Sequence, residues 1–183
     1  MIVADKDEEL LEIVDEKGIS TGKLEKREVV HKNQLFHNEI ALWIIDKNKK
    51  EVLVQRRSKY KKQNPNKLAL CAGHVVGGET INEALKKEAF EEIGVDITQY
   101  KCEELLKVKR MEKNNYCFSS HFCILNRIPI ENMKIQEEEL SEVFYIDYET
   151  LKAMIKESNP EVAIQWSDEV AKLFKALDKI MYD

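Results

Sequence analysis

Glu88, Glu91 and Glu92 stand at spacing i, i+3, i+4. On a helix advancing about 100° per residue, that spacing gathers three carboxylates into an arc of roughly 100°. At this separation they repel one another. Glu88 and Glu92 also continue the apolar stripe opened by Ile81, Ala84 and Leu85, with Glu91 on its flank, and there a charge loses water and needs a partner. A hard divalent cation answers both demands, because Mg²⁺ takes oxygen ligands in octahedral geometry. A solvated acidic face is the alternative that helix geometry alone leaves open.

The elements that must hold these carboxylates lie on either side. Thr80 to Ile93 reads as a helix closed by Gly94 in the left-handed conformation. In front of it, Leu68 to Val76 is short and extended, ending at Gly77-Gly78. Farther upstream, Leu11 to Val14 reads as a strand and Lys23 to Val30 as a second extended piece. Glu39–Ile45 and Glu51–Gln55, around the turn Asp46–Lys50, form a hairpin. Downstream come strands at about Cys102–Met111, Tyr116–Asn126 and Glu142–Ile146, then a helix over Tyr148–Glu157. A last amphipathic helix is expected from Asn159-Pro160, with Val162, Trp166, Val170, Phe174, Leu177 and Met181 on one face. This order says α+β, with helices packed on a mixed sheet.

Residues 73–95, Gly-His-Val-Val-Gly-Gly-Glu-Thr-Ile-Asn-Glu-Ala-Leu-Lys-Lys-Glu-Ala-Phe-Glu-Glu-Ile-Gly-Val, closely resemble the Nudix box, G-x5-E-x7-R-E-U-x-E-E-x-G-U, where U is bulky and apolar. Gly73, Glu79, Glu88, Glu91, Glu92 and Gly94 fall on its fixed positions, with Ala89 and Val95 at the U positions. The resemblance implies a Nudix fold, an α/β/α sandwich in which a mixed sheet packs between helices. It implies Mg²⁺ or Mn²⁺ held by Glu88, Glu91 and Glu92 together with Gly73. One of these acids, or a downstream one among Glu137, Glu138, Glu139 and Glu142, would act as general base on water. Lys87 replaces the box arginine, and a lysine is a point donor where arginine is a planar fork. A weakened hold on a catalytic glutamate is therefore expected, and an exposed ion pair with Glu83 is the competing role for Lys87.

The likeness extends to Val14-Asp15-Glu16-x-Gly18, Gly22, Arg27, Val30-His31, His37 and Leu53-Val54-Gln55-Arg56-Arg57-Ser58. This pattern is similar to the isopentenyl-diphosphate isomerase-like branch over about residues 11–147. It implies substrate binding by Arg57, Lys61 and Glu79, and a possible second metal site at His31, His37 and His74. Satisfied structural histidines are the alternative there. The isomerases' catalytic cysteine is replaced by Ala72, with Cys71 one residue earlier, and Ser119 and His121 stand at their two glutamate positions. The acidic triad is present where the cysteine–glutamate pair is missing. The expected activity is therefore metal-dependent hydrolysis of a diphosphate linkage in a nucleoside diphosphate-X or related substrate. An isomerase using Cys71, or a non-catalytic ligand-binding module, is the competing reading.

The chain has 183 residues, 43% hydrophobic and 34% charged, with a net charge of −5. Such a length suits a single domain over 1–183, with 1–35 as N-terminal extended segments and 159–183 as a C-terminal helix packed on the body. An acidic balance argues against a nucleic-acid polymer or an anionic membrane as partner. No apolar run reaches the roughly 20 residues of a membrane span, and the acidic N-terminus lacks signal-peptide order. A cytoplasmic protein with a small-molecule diphosphate substrate is expected, and a homodimer is possible for such a fold. Cys71, Cys102, Cys117 and Cys123 form no C-x-x-C pair and read as buried free thiols. Cys117, His121 and Cys123 share one strand face without forming a convincing zinc set.

Overall fold

The structure, a computed structural model, describes residues 8–183. Its core is built on strand β3 (His37–Asp46), whose side chains alternate between two covered faces. Ala41, Trp43 and Ile45 point into one hydrophobic cluster, and Ile40, Leu42 and Ile44 into another. A run buried on both faces explains why this stretch is almost continuously apolar.

Around β3 the chain adds β1 (Leu10–Val14), β2 (Ser20–Lys26), α1 (Arg27–Lys32), β4 (Glu51–Arg57), β5 (Leu68–Ala69) and β6 (Cys71–His74). Then follow α2 (Ile81–Ile93), β7 (Cys102–Glu112), β8 (Asn115–Ile124), β9 (Leu140–Asp147), α3 (Tyr148–Lys156) and α4 (Asp168–Tyr182). β1 and β2 pair as a hairpin. The main sheet is seven-stranded in the order β5-β4-β3-β8-β7, with β6 also on β3 and β9 also on β4. The β3–β8 pair is parallel, so the sheet is mixed. α2 packs through Ala84, Leu85, Ala89 and Ile93 on one face. α3 and α4 cover the other through Leu151, Ile155, Leu173, Phe174 and Leu177. The expected sandwich of a sheet between helices is what forms.

One detail of the sheet positions everything that follows. β4 pairs with β3 only at Ile45 and Asp46, whereas β6 pairs with the first half of β3, from Glu39 to Leu42. The two neighbours diverge along the same edge of β3, and a cleft opens between Gln55 of β4 and Cys71–Ala72 of β6.

Three local expectations are corrected. The last helix begins at Asp168, not Pro160, with the Ser167 hydroxyl accepting the Val170 amide. Asn159 instead caps a turn by accepting the Glu161 amide. Leu68 then engages the backbone on both sides of Val162, donating to Glu161 O and accepting from Ala163 N, which holds the segment extended. The extended piece expected from Lys23 to Val30 ends at Lys26, and residues 27–32 turn into α1. The β-branched Val29-Val30 suggests a strand, but the helical turn buries Val30 against Leu11 and Ile13. Leu68–Val76 is not one strand: β5 and β6 serve different neighbours, and the chain changes partner at Leu70.

Candidate active site

α2 delivers its carboxylates into the cleft. A capping box at Thr80 and Glu83 starts the helix, and Gly94, at φ 69°, ends it. Glu92 lies between the diverging strands, receiving the Gln55 Nε2 amide at 2.9 Å and the Ala72 backbone N–H at 3.2 Å. It thereby satisfies a backbone donor that the splayed sheet leaves unpaired. Burial pushes the Glu92 carboxyl above its ordinary value, opposed by hydrogen bonds from Gln55 and Cys71 and by the charge of Arg57. Glu88 is also buried, and it packs on Gly73 so closely that a Cβ there would lie 2.2 Å from the carboxyl carbon. Glycine at position 73 lets the Glu88 carboxylate lie directly against β6; any side chain there would push it away.

Lys87 makes no pair with Glu83, whose carboxylate is committed to Thr80. Its ammonium instead bridges both oxygens of Glu79, at 3.0 and 2.9 Å, and lies 3.7 Å from Glu88. Glu79 also accepts the Val76 amide. Neither Lys87 nor Glu79 lines the cavity, in contrast to the catalytic and substrate-binding places expected for them. They tie the loop before α2 to the helix.

A cavity of about 480 Å³ opens over these groups, lined by Glu88, Glu91, Glu92, Gly73, Arg57 and Lys61 among others. Arg57 donates to Gln63 O. Lys61 is buried and donates to Glu139 at 2.7 Å. Of the four downstream acids, Glu139 alone lines the cavity; Glu137 and Glu138 are exposed and Glu142 pairs with Arg56. Three carboxylates, two of them buried, in an oxygen-rich cleft where the Gln55 Oε1 also lacks a partner, suit a hard cation in donor chemistry.

A second cluster reaches the same cavity through His74 and Glu39. His31, His37 and His74 bring one ring nitrogen each within 4.8 Å of one another, the one such trio among the described residues; the box glutamates are not gathered to that degree. His31 Nδ1 lies 2.7 Å from Asn114 O and His37 Nδ1 3.2 Å from Leu35 O. These carbonyls take the Nδ1 side of both rings and leave both Nε2 atoms facing the cluster, where His31 Nε2 lies 3.1 Å from His74 Nε2. His37 Nε2 is buried without a hydrogen-bond partner. Glu39 Oε1 lies 3.6 Å from His37 Nε2 and 3.5 Å from His74 Nε2. Burial pushes the Glu39 carboxyl up, but His37 and Arg110 outweigh it and hold it well below the usual range. Burial keeps His74 and His31 below the ordinary imidazole value, neutral and able to ligate. Three imidazoles are the donor types of a zinc-like site, with Glu39, which also accepts from Arg110, Asn115 and Cys117, beside them. Glu39 escaped the sequence reading, although strand alternation puts it on the same face as His37.

The isomerase-like positions separate as well. Ala72 lies on the cavity floor, while Cys71 alternates to the opposite face and packs with Leu42 and Ala84. Burial and Glu92 push its thiol well up, so Cys71 does not stand in for the displaced cysteine. Cys117 donates to Glu39 and His121 accepts from Trp43, so neither joins Cys123 in a metal set. All four cysteines are free. Among the described residues, no helix is long and apolar enough to cross a membrane.

Comparison with known proteins agrees with this architecture. Nudix hydrolase 3 of Arabidopsis thaliana is 28% identical over 177 residues, covering 91% of this chain and 23% of that protein. An isopentenyl-diphosphate Delta-isomerase of Mycolicibacterium vanbaalenii is 30% identical over 95 residues, covering 51% of this chain and 52% of the enzyme. The chain thus spans about half or less of these relatives. The crystal structure of DR0079 from Deinococcus radiodurans superposes with a TM-score of 0.67 at 18% identity, over 92% of this chain and 99% of that one, which speaks for the fold. Residues 35–166 match the NUDIX domain profile, a stretch running from β3 past the glutamate helix to the turn before α4, and on that match the chain belongs to the NUDIX domain family.

Proposed function

We propose that this protein is a Nudix pyrophosphohydrolase that cleaves a diphosphate linkage in a small molecule, a nucleoside diphosphate-X or related compound, with Mg²⁺ or Mn²⁺. One observation carries the reading: Glu88, Glu91 and Glu92 enter the same cavity as Arg57 and Lys61. Acids that hold cations thus face bases that hold phosphate.

When bound, a divalent cation supplies Lewis acidity to the phosphoryl oxygens and lowers the pKa of attacking water. Glu88, backed by Gly73, and Glu92, oriented by Gln55 and Ala72, would hold it. Arg57 neutralises phosphate charge as the bond to the leaving oxygen breaks. A carboxylate of the set takes the water's proton, with Glu139, held by Lys61, as the downstream acid within reach. Lys87 acts at one remove, by fixing Glu79 and the loop. The isomerase reading lacks a cavity-facing thiol, since Ala72 holds that place.

A second cation is supported at His31, His37, His74 and Glu39 by the orphaned His37 Nε2. With a net charge of −5, a single-domain protein of the cytoplasm acting on a small diphosphate, as a monomer or homodimer, is the accompanying proposal; a nucleic-acid polymer or a membrane is not.

The test is phosphate-product release from a panel of nucleotides with Mg²⁺ or Mn²⁺. Turnover by the wild-type chain, lost about 100-fold or more in Glu91→Gln/Glu92→Gln, supports the reading. Undiminished turnover in that variant overturns it. Tight ligand binding without any turnover would favour the non-catalytic module.

A further inference from the structure

Across the cavity from Glu92, the Trp43 indole Nε1–H donates to His121 Nδ1 at 3.0 Å. An indole nitrogen can only donate, so Nδ1 must be the accepting nitrogen and the neutral ring must carry its proton on Nε2. Burial, aided by the charge of Arg110, pushes the imidazole down to about 3 and keeps it neutral. His121 is 7% exposed and lines the cavity. Its Nε2 makes no hydrogen bond among the described residues and is not sealed away from solvent. A tautomer fixed from behind therefore presents one N–H donor to whatever fills this end of the site.

The sheet sets how far that donor is from the glutamates. Ala41 of β3 pairs with Ala72 on one side and His121 on the other. Two strand spacings, about 10 Å, separate His121 from Ala72, the residue whose amide holds Glu92. Residues 41 and 72 are both alanine, so the floor between them is open. Apolar side chains of the lining, Trp43, Ile164, Leu173 and Phe174, give this compartment a hydrophobic wall, while Arg110 and Glu39 act on His121 through their charge. With a diphosphate at the glutamates, such a compartment would receive the organic group attached to it.

We propose that His121, locked by Trp43, selects the substrate by donating its Nε2–H to a neutral hydrogen-bond acceptor on a flat, otherwise apolar group such as a nucleobase. This rests on the diphosphate-binding reading above. A pure hydrocarbon chain would fill the same volume but leave the Nε2–H desolvated and unpaired. Sites built to hydrogen-bond a group reject analogues lacking it far more strongly than sites that only fit their shape.

The experiment compares matched, uncleavable ligands in Mg²⁺ by calorimetry: the α,β-methylene analogues of ADP and UDP, and geranyl methylenediphosphonate. The full-length wild-type chain is expected to bind at least one base-bearing analogue tenfold or more tightly than the geranyl compound. His121→Phe should lose about tenfold on the base-bearing ligand and less than twofold on the geranyl one. His121→Gln, which keeps an N–H donor, should retain most of the preference. Nitrogen-15 NMR of the imidazole should report the Nε2–H tautomer in the wild type and a mixture in Trp43→Phe. Equal affinities, no binding of either class, a uniform loss in His121→Phe, or the Nδ1–H tautomer would each overturn the proposal. Failure of the hydrolase reading looks different: base preference would persist while cleavable nucleotides stay intact.

Discussion

The Lys87 ammonium sits within 3.0 Å of both carboxylate oxygens of Glu79, although it replaces a residue whose planar fork would make the same two contacts. A flexible stem centres one point charge between two acceptors, and the pair is only about a quarter exposed. The lysine therefore keeps the role of tying the loop to α2, and the expected weakening is small. Lys87→Ala should cost roughly 1–2 kcal/mol of stability in urea denaturation and lower kcat about tenfold. Lys87→Arg should match or exceed the wild type in both. A kcat that Lys87→Ala leaves unchanged would show that the loop needs no such tie.

Gly73→Ala tests the contact between β6 and α2. The new methyl would lie 2.2 Å from Glu88 Cδ and 2.5 Å from Glu88 Oε1, so the carboxylate must swing away. The expected result is a folded protein whose Mg²⁺ requirement rises by about an order of magnitude, read as activity against metal concentration. An unchanged metal titration would remove Glu88 from the cation site.

Zn²⁺, which prefers imidazole nitrogen, should raise the melting temperature through His31, His37, His74 and Glu39. At a hundredfold excess over Kd, the gain is about 2.7 kcal/mol. His74→Ala and Glu39→Gln should each abolish the metal-dependent shift while leaving the glutamate-dependent turnover measurable. A shift that survives both changes would place the ion elsewhere.

Asp178 of α4 accepts from Tyr148 Oη at 2.7 Å and from Lys152 Nζ at 2.6 Å. Burial pushes its carboxyl up, but these two donors outweigh burial and hold it below the ordinary 3.8. The unfolded chain then takes up the proton first as pH falls. The stabilisation is present above about pH 4 and is lost as pH drops through the folded value. Asp178→Asn should be less stable than the wild type at pH 7, and the gap should close under acid. A constant gap across that range would mean that packing, not ionisation, is what the substitution disturbs.

Much of this molecule is legible locally. The capping box at Thr80, Gly94 and the stripe from Ala84 to Ile93 define α2, because helix ends and faces depend on neighbours within a few residues. Strand alternation in His37–Asp46 works for the same reason. The start of α4 was not legible. Asn159-Pro160 carries a helix-start pattern, yet the backbone around Val162 is claimed by Leu68, nearly a hundred residues earlier in the chain. Lys87 shows the same limit, since Glu83 four residues back is the obvious partner and Glu79 the actual one.

By itself the order of residues determined which side chains could bear chemistry: three glutamates at helical spacing, a glycine ahead of them, and histidines dispersed from 31 to 121. Their assembly was decided by the divergence of β4 and β6 along one edge of β3. That divergence admits Glu92 between two strands, sends Cys71 to one face and Ala72 to the other, and brings Glu39 to the histidines. Spacing along a chain reports only which neighbours share a face. Contacts between residues far apart in sequence depend on which strand edges pair, and that is settled by burying both faces of the sheet at once.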